Sequence, residues 1–130
     1  MLHTALATDE IAGLTGQAFF KTNALIAGCW QGSTDGDTFA VENPATEEVI
    51  ARVANCGVIE TEQAIIAASD ALAGWAQKKK KNRAKILRAW FDLIIEHEQG
   101  LARLLTIEQG KPLDEALGEV RYGASYIEWF

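Results

Sequence analysis

The stretch TIEQGKPLDEA, residues 106–116, decides how the second half of this chain is divided. A Gly-Lys pair between helical segments raises the question of a phosphate loop, which needs glycine, four residues, glycine, lysine and then Ser or Thr after a strand. Here Pro112 follows Lys111, the preceding segment has helical periodicity, and no glycine stands at the required spacing. The pattern predicts instead that Gly110 ends one helix in a left-handed conformation and that Pro112 opens the next.

The charges around this junction fit a helix end followed by a helix start. Lys111 lies at the negative carbonyl end of the first helix, and Asp114 and Glu115 lie at the positive end of the second. Glu108 is the exception, because a carboxylate in the last turn of a helix is disfavoured by about 0.3–1 kcal/mol. Two interpretations follow: Glu108 is solvated or paired with Lys111, or it holds a bound cation.

Beyond residue 57, apolar residues recur at helical spacing and predict four amphipathic helices over about residues 60–130. Thr61 is the predicted cap of the first helix, with Glu60 and Glu62 at its positive end. Four stripes carry the apolar faces: Ile65, Ala68, Leu72 and Trp75; Ile86, Trp90, Leu93 and His97; Leu101, Leu104 and Leu105; Leu117, Val120, Ala124 and Ile127.

The last helix contains two glycines, Gly118 and Gly123, which lower helix propensity and predict close packing against another element. Its amphipathic period continues to Phe130 with no Gly, Asn or Pro to stop it. A helix that ends within its pattern predicts the front portion of a larger domain, with apolar stripes left open. We therefore expect the isolated chain to bind hydrophobic dye, to unfold readily and to associate.

Residues before about position 57 are rich in glycine, threonine and β-branched residues and predict a small antiparallel sheet. Three strands are indicated, at residues 24–30, 38–44 and 47–54. A polar, glycine-containing loop separates the first two strands, and an Asn-Pro turn separates the last two.

Composition excludes several classes of protein. The 130 residues are 48% hydrophobic and 23% charged with a net charge of −6, which fits a globular chain and argues against nucleic-acid or anionic-membrane partners. No apolar run reaches the roughly 20 residues that span a bilayer, and the N-terminus lacks a basic targeting segment. The sequence predicts a cytoplasmic protein in which Cys29 and Cys56 are reduced and buried.

Three segments, ALIAGCW at residues 24–30, NPATEEVIARV at 43–53 and residues 84–130, resemble the N-terminal portion of the aldehyde dehydrogenase superfamily. The EQGKP run and the YIEWF ending are most similar to its NAD(P)-dependent succinate-semialdehyde dehydrogenases. The resemblance implies an α/β fold in which short antiparallel strands precede four amphipathic helices of a Rossmann-like cofactor domain, truncated. Residues 1–23 would be an N-terminal extension, and residues 24–130 an incomplete N-terminal portion of the cofactor-binding domain.

The same resemblance implies an oxidoreductase that uses NAD or NADP. In the family a cysteine thiolate attacks the aldehyde, hydride passes to the nicotinamide, and a glutamate-activated water hydrolyses the thioester. Those residues follow the part of the family matched here, so we assign no catalytic and no cofactor-binding residue, and neither His3 nor His97 receives a role. The complete enzyme would oxidise succinate semialdehyde as a homo-oligomer, whereas this chain alone would be inactive.

One family site carries over to this chain. Several members hold a structural monovalent cation with main-chain carbonyls just before the Asn-Pro turn and with an acidic side chain before Gly-Lys-Pro. The matching positions are Val41, Glu42 and Glu108, which predicts a sodium or potassium ion beside Glu108.

Two positions depart from the family. Glu47 stands where glycine is usual, which predicts a strained or altered turn, and residues 77–83 (QKKKKNR) are unusually basic. We interpret the lysines as a solvated interhelix loop, with a nucleic-acid contact as the less favoured reading. Two other functions stay open: a short non-catalytic interaction module, and part of a family member acting on another aldehyde, such as an aminoaldehyde or lactaldehyde.

Overall fold

A computed structural model describes residues 12–130, in which four short strands precede four helices and a helical turn lies at residues 12–15. The mixed α/β class is therefore confirmed. The strands are β1 (Ala24–Ile26), β2 (Cys29–Gln31), β3 (Thr38–Glu42) and β4 (Val49–Ala54). The helices are α1 (Val58–Gln77), α2 (Lys80–Glu96), α3 (Glu98–Gln109) and α4 (Leu113–Trp129).

The strands form two separate antiparallel pairs, β1–β2 and β3–β4, rather than the single sheet predicted. The predicted strand at residues 24–30 is wrong, because the chain reverses within it and pairs Ile26 with Cys29. Ala27 and Gly28 form the turn, with φ angles of 51° and 79°. Positive φ at both central residues is the geometry of a type I′ hairpin turn, which usually contains Asn-Gly. The turn was not predicted from the sequence, because alanine stands where asparagine is usual.

The Asn-Pro turn between β3 and β4 is held by its own polar groups. The side chain of Asn43 is buried and its Oδ1 accepts a hydrogen bond from the backbone N–H of Ala45 at 2.9 Å. Its carbonyl accepts from the N–H of Glu47 at 2.8 Å. Glu47 has a φ of 61°, in the left-handed region that favours glycine. The predicted strain at this departure from the family is confirmed.

Helix α1 begins at Val58, two residues before the predicted start, and Gly57 is its N-cap residue. The predicted cap by Thr61 is wrong, because its hydroxyl donates to the carbonyl of Gly57 and satisfies no free N–H. The carboxylate of Glu60 instead accepts from the N–H of Gly57 at 2.8 Å. Glycine has no side chain to cap a helix, so the glutamate at the third position supplies the bond.

Arg83 fixes the bend between α1 and α2. Its guanidinium donates to the carbonyl oxygens of Lys78 at 2.7 Å and Ala76 at 3.3 Å, at the end of α1. These carbonyls would otherwise lack intrahelical partners. Residues 78–81 are exposed as expected, but the predicted loop over residues 77–83 is too long, because only Lys78 and Lys79 lie between the helices and α2 already begins at Lys80.

The junction between α3 and α4 follows the prediction closely. Gly110 has a φ of 72° and donates its N–H to the carbonyl of Thr106 at 2.8 Å, ending α3 in a left-handed residue. Pro112 lies just before α4 rather than inside its first turn, which contains Asp114 and Glu115 as expected. The Gly-Lys pair is therefore a helix boundary.

The described core is small. Leu14, Ile50 and Ile107 are buried together, and four partly buried side chains pack against them: Phe19, Phe20, Val41 and Leu104. Small residues are buried where the helices meet: Ala102, Ala116 and Ala124 are at most 1% exposed. In contrast, much of the predicted apolar faces of α1 and α2 is open, with Ile65, Leu72 and Trp90 between 55% and 64% exposed. Open stripes were the expectation for part of a larger domain.

Candidate functional site

The end of β3 and the end of α3 meet at one junction, which brings together the segments that carry the predicted cation ligands. A Cβ atom placed on Gly110 would lie 3.1 Å from Cγ of Pro44, so the turn after β3 rests on the glycine that ends α3. Val41 packs against the cluster that includes Ile107. Glu108 therefore lies, in sequence, between Ile107 of that cluster and Gly110, which follows α3.

The backbone at Val41 and Glu42 is irregular. Val41 pairs with Ala51, but Glu42 pairs with Val49, so the β3–β4 ladder shifts register between these two residues. A bulge of this kind interrupts the regular pairing of backbone polar groups. The irregularity occurs where two carbonyl oxygens are the expected ligands.

Two side chains near the end of α3, those of Glu108 and Thr106, differ in their surroundings. Glu108 is exposed and lines the groove between α3 and α4. Thr106 accepts the N–H of Gly110 at its carbonyl, and its buried hydroxyl has no hydrogen-bond partner within residues 12–130. A buried oxygen without a partner is costly and can be satisfied by an ion or a water molecule.

Lys111 is not the partner of Glu108. Its Nζ lies 2.6 Å from Oε1 of Glu119, on α4, and within residues 12–130 no ion pair involves Glu108. The interpretation of Glu108 as a Lys111-paired residue is therefore wrong, and a solvated or cation-bound carboxylate remains.

The described residues contain no group of three or more His, Cys, Asp or Glu side chains arranged to hold a metal ion. The predicted site does not need such a group, because two of its three ligands are backbone carbonyls. Oxygen ligands of this kind suit a hard cation, with the single carboxylate providing charge.

Glu60 is a buried carboxylate that joins two parts of the chain, and the sequence indicated it only as a helix-start acid. Only 4% of the residue is exposed. Its carboxylate accepts from the N–H of Thr34 at 2.7 Å, from the Thr34 hydroxyl and from the N–H of Gly57. The hydrogen bonds from Thr34 and Gly57 lower the pKa of Glu60 from 4.5 to about 2. The anchor fixes the β2–β3 loop to α1.

The cysteines and His97 occupy structural positions. Cys29 is exposed on β2, so the prediction that it is buried is wrong: β1 and β2 form a two-stranded sheet, and no third strand pairs with β2 within residues 12–130. Cys56 is half-buried after β4. His97, between α2 and α3, lies with its ring centroid 5.6 Å from that of Phe19. His3 lies outside the described residues.

Among residues 12–130, no helix is both long and apolar enough to cross a membrane.

The family model for aldehyde dehydrogenases matches residues 30–130. The chain belongs to the aldehyde dehydrogenase family. The matched range includes the junction at Pro44 and Gly110 and all four helices. This confirms the resemblance inferred from the Asn-Pro and Glu-Gln-Gly-Lys-Pro segments.

Two curated relatives and one solved structure show how the chain lies within that family. It is 51% identical over 111 residues to glutarate-semialdehyde dehydrogenase of Pseudomonas aeruginosa, covering 85% of this chain and 23% of the relative. It is 50% identical over 111 residues to the NADP(+) succinate-semialdehyde dehydrogenase of Escherichia coli, with the same coverage of 85% and 23%. The crystal structure of succinate-semialdehyde dehydrogenase from Burkholderia pseudomallei matches with a TM-score of 0.82 and 51% identity, over 84% of this chain and 23% of that one.

The chain thus spans about a quarter of the length of these relatives. Aldehyde dehydrogenases of this kind are oxidoreductases that use NAD(P).

Proposed function

We propose that this chain forms the N-terminal part of an NAD(P)-dependent aldehyde dehydrogenase that oxidises succinate semialdehyde to succinate. The observation that carries the proposal is identity of about half over 111 residues to semialdehyde dehydrogenases. Glutarate semialdehyde is the second candidate, since the Pseudomonas aeruginosa relative is named for it. Both aldehydes carry a terminal carboxylate, so the shared substrate class is a short aldehyde acid.

In this proposal the chain supplies structure rather than chemistry. Cys29 is exposed on β2 and Cys56 is half-buried after β4, and we propose that neither is the catalytic thiolate, which the family resemblance places after the matched segment. The chain would therefore contribute strands β1–β4 and helices α1–α4 to the cofactor domain. Residues 24–130 are the proposed share of that domain, with residues 1–23 as its extension. Leu14 already packs into the core from that extension.

The cofactor would be NAD or NADP, and the relative from Escherichia coli is named for NADP(+). The bound dinucleotide accepts the hydride that leaves the aldehyde carbon. We assign no residue of this chain to contact with it. The complete enzyme is proposed to be a cytoplasmic homo-oligomer whose partner is its aldehyde substrate, with no nucleic-acid or membrane partner.

Two assays test the function. The 130-residue chain alone, supplied with NAD or NADP and succinate semialdehyde, is expected to give no increase in absorbance at the reduced nicotinamide band. The full product of the gene that encodes it is expected to reduce the dinucleotide with a higher kcat/KM for succinate semialdehyde than for propionaldehyde, which lacks the carboxylate. Equal kcat/KM values for the two aldehydes would contradict the substrate class, and turnover by the chain alone would contradict its structural role.

We also propose that the carbonyls of Val41 and Glu42 and the carboxylate of Glu108 hold a sodium or potassium ion. Three observations support this site: the contact of Pro44 with Gly110, the irregular ladder at Val41 and Glu42, and the carboxylate of Glu108, which forms no ion pair within residues 12–130. A cation there would compensate the placement of Glu108 at the negative end of α3.

Thermal unfolding in matched potassium chloride and choline chloride buffers tests the cation site. The wild-type chain is expected to melt at a higher temperature in potassium, and Glu108→Gln is expected to remove that difference. Glu115→Gln, which changes the same charge at the start of α4, is the control and should keep it. A wild-type melting temperature that is the same in both salts would remove the site.

A further inference from the structure

We draw no further inference here: the strongest candidate, the open apolar groove between the β1–β2 hairpin and helix α1 that is lined by Leu25, Ile66 and Ala67, is an exposed face for which nothing in residues 12–130 shows what covers it.

Discussion

The carboxylate of Glu60 accepts two hydrogen bonds from Thr34, a residue 26 positions earlier in the chain. One comes from the backbone N–H and the other from the hydroxyl. Together with the bond from Gly57, they join a loop between strands to the first turn of α1. Long-range polar contacts of this kind restrict how the hairpin layer lies on the helix, because α1 otherwise meets the strands mainly through β1.

The pKa of Glu60 predicts the pH dependence of this connection. The folded pKa of about 2 lies below the ordinary value of 4.5, so folding favours the ionised carboxylate. Its contribution to stability is present in full above pH 4.5 and is lost as the pH falls from there toward 2. Glu60→Gln is therefore expected to lower the urea midpoint at pH 7, with the difference from wild type shrinking as the pH falls below 4.5.

Glu62→Gln is the matched control for Glu60→Gln. It removes the same charge from the same helical turn, yet no side-chain hydrogen bond to Glu62 exists in the described chain. The midpoint should change little at any pH. If the two variants respond equally to pH, the effect belongs to the helix dipole and not to the contact with Thr34.

Glu47 predicts a stabilising substitution. Its φ of 61° costs a residue with a Cβ atom about 1–2 kcal/mol relative to a right-handed conformation, and glycine avoids this cost. Glu47→Gly should therefore raise the free energy of unfolding by about 1 kcal/mol, measured by urea titration. Glu48→Gly removes the same charge at a residue without positive φ and should lower stability by about 0.5–1 kcal/mol. Equal effects of both variants would attribute the change to charge.

The β1–β2 hairpin predicts a second stabilising substitution. Ala27 holds a φ of 51° in the first central position of the turn, where asparagine is preferred in type I′ geometry. Ala27→Asn should stabilise the chain by up to about 1 kcal/mol in thermal or urea unfolding. Gly28→Ala places a side chain at a φ of 79° and should have the opposite sign. A destabilised Ala27→Asn variant would contradict this turn assignment.

A buried side chain and an exposed one are expected to differ in how much their truncation changes the free energy of unfolding. Ile107→Ala removes a buried side chain, 7% exposed, and should cost about 2–5 kcal/mol, enough to unfold a marginal domain. Leu72→Ala, at 63% exposure, should change the free energy of unfolding by less than about 0.5 kcal/mol. Leu72→Ala should nevertheless reduce the fluorescence of a hydrophobic dye bound to the chain. A large stability loss at Leu72 would mean that α1 is covered, for example by a second copy.

Gly100 predicts the result of adding one methyl group. A Cβ atom there would lie 2.6 Å from Cζ of Phe19, so Gly100→Ala forces the ring to move. Overpacking of about 1–3 kcal/mol then exceeds the helix-propensity gain of about 1 kcal/mol. A methyl group added at Gly118 meets no atom within 4 Å, so Gly118→Ala should raise stability through helix propensity alone. Thermal unfolding should thus rank Gly118→Ala above wild type and Gly100→Ala below it.

Helices and their boundaries were predictable because their signals are local. The left-handed Gly110, the acids Asp114 and Glu115, and the helical period of the apolar residues all act within a few positions. The hairpin at Ala27 was missed because its turn uses a residue that rarely adopts positive φ. Periodicity gave the covered faces of α3 and α4, but most of the stripes predicted for α1 and α2 are exposed, because the pattern does not show which faces this chain covers.

The contacts of the candidate sites depend on residues far apart in sequence. Glu60 was predictable as an acid at a helix start, but its partner Thr34 was not, because nothing local links a loop residue to a helix 26 positions later. The junction of Pro44 with Gly110 likewise joins segments whose separate turn chemistry was clear. The family resemblance supplied the reason to consider Val41, Glu42 and Glu108 together, and their role as cation ligands stays a prediction.

The guanidinium of Arg83 donates hydrogen bonds to the backbone at the bend between α1 and α2. The lysines at residues 78–81, in contrast, form no ion pair within the described residues. The guanidinium of Arg83 therefore holds the bend, while the amines of the lysines at residues 78–81 stay available for chemical modification. Amine-directed labels, tethers and cross-linkers can be attached at residues 78–81 without disturbing the bend. This corner offers a natural handle for fixing the chain to a surface.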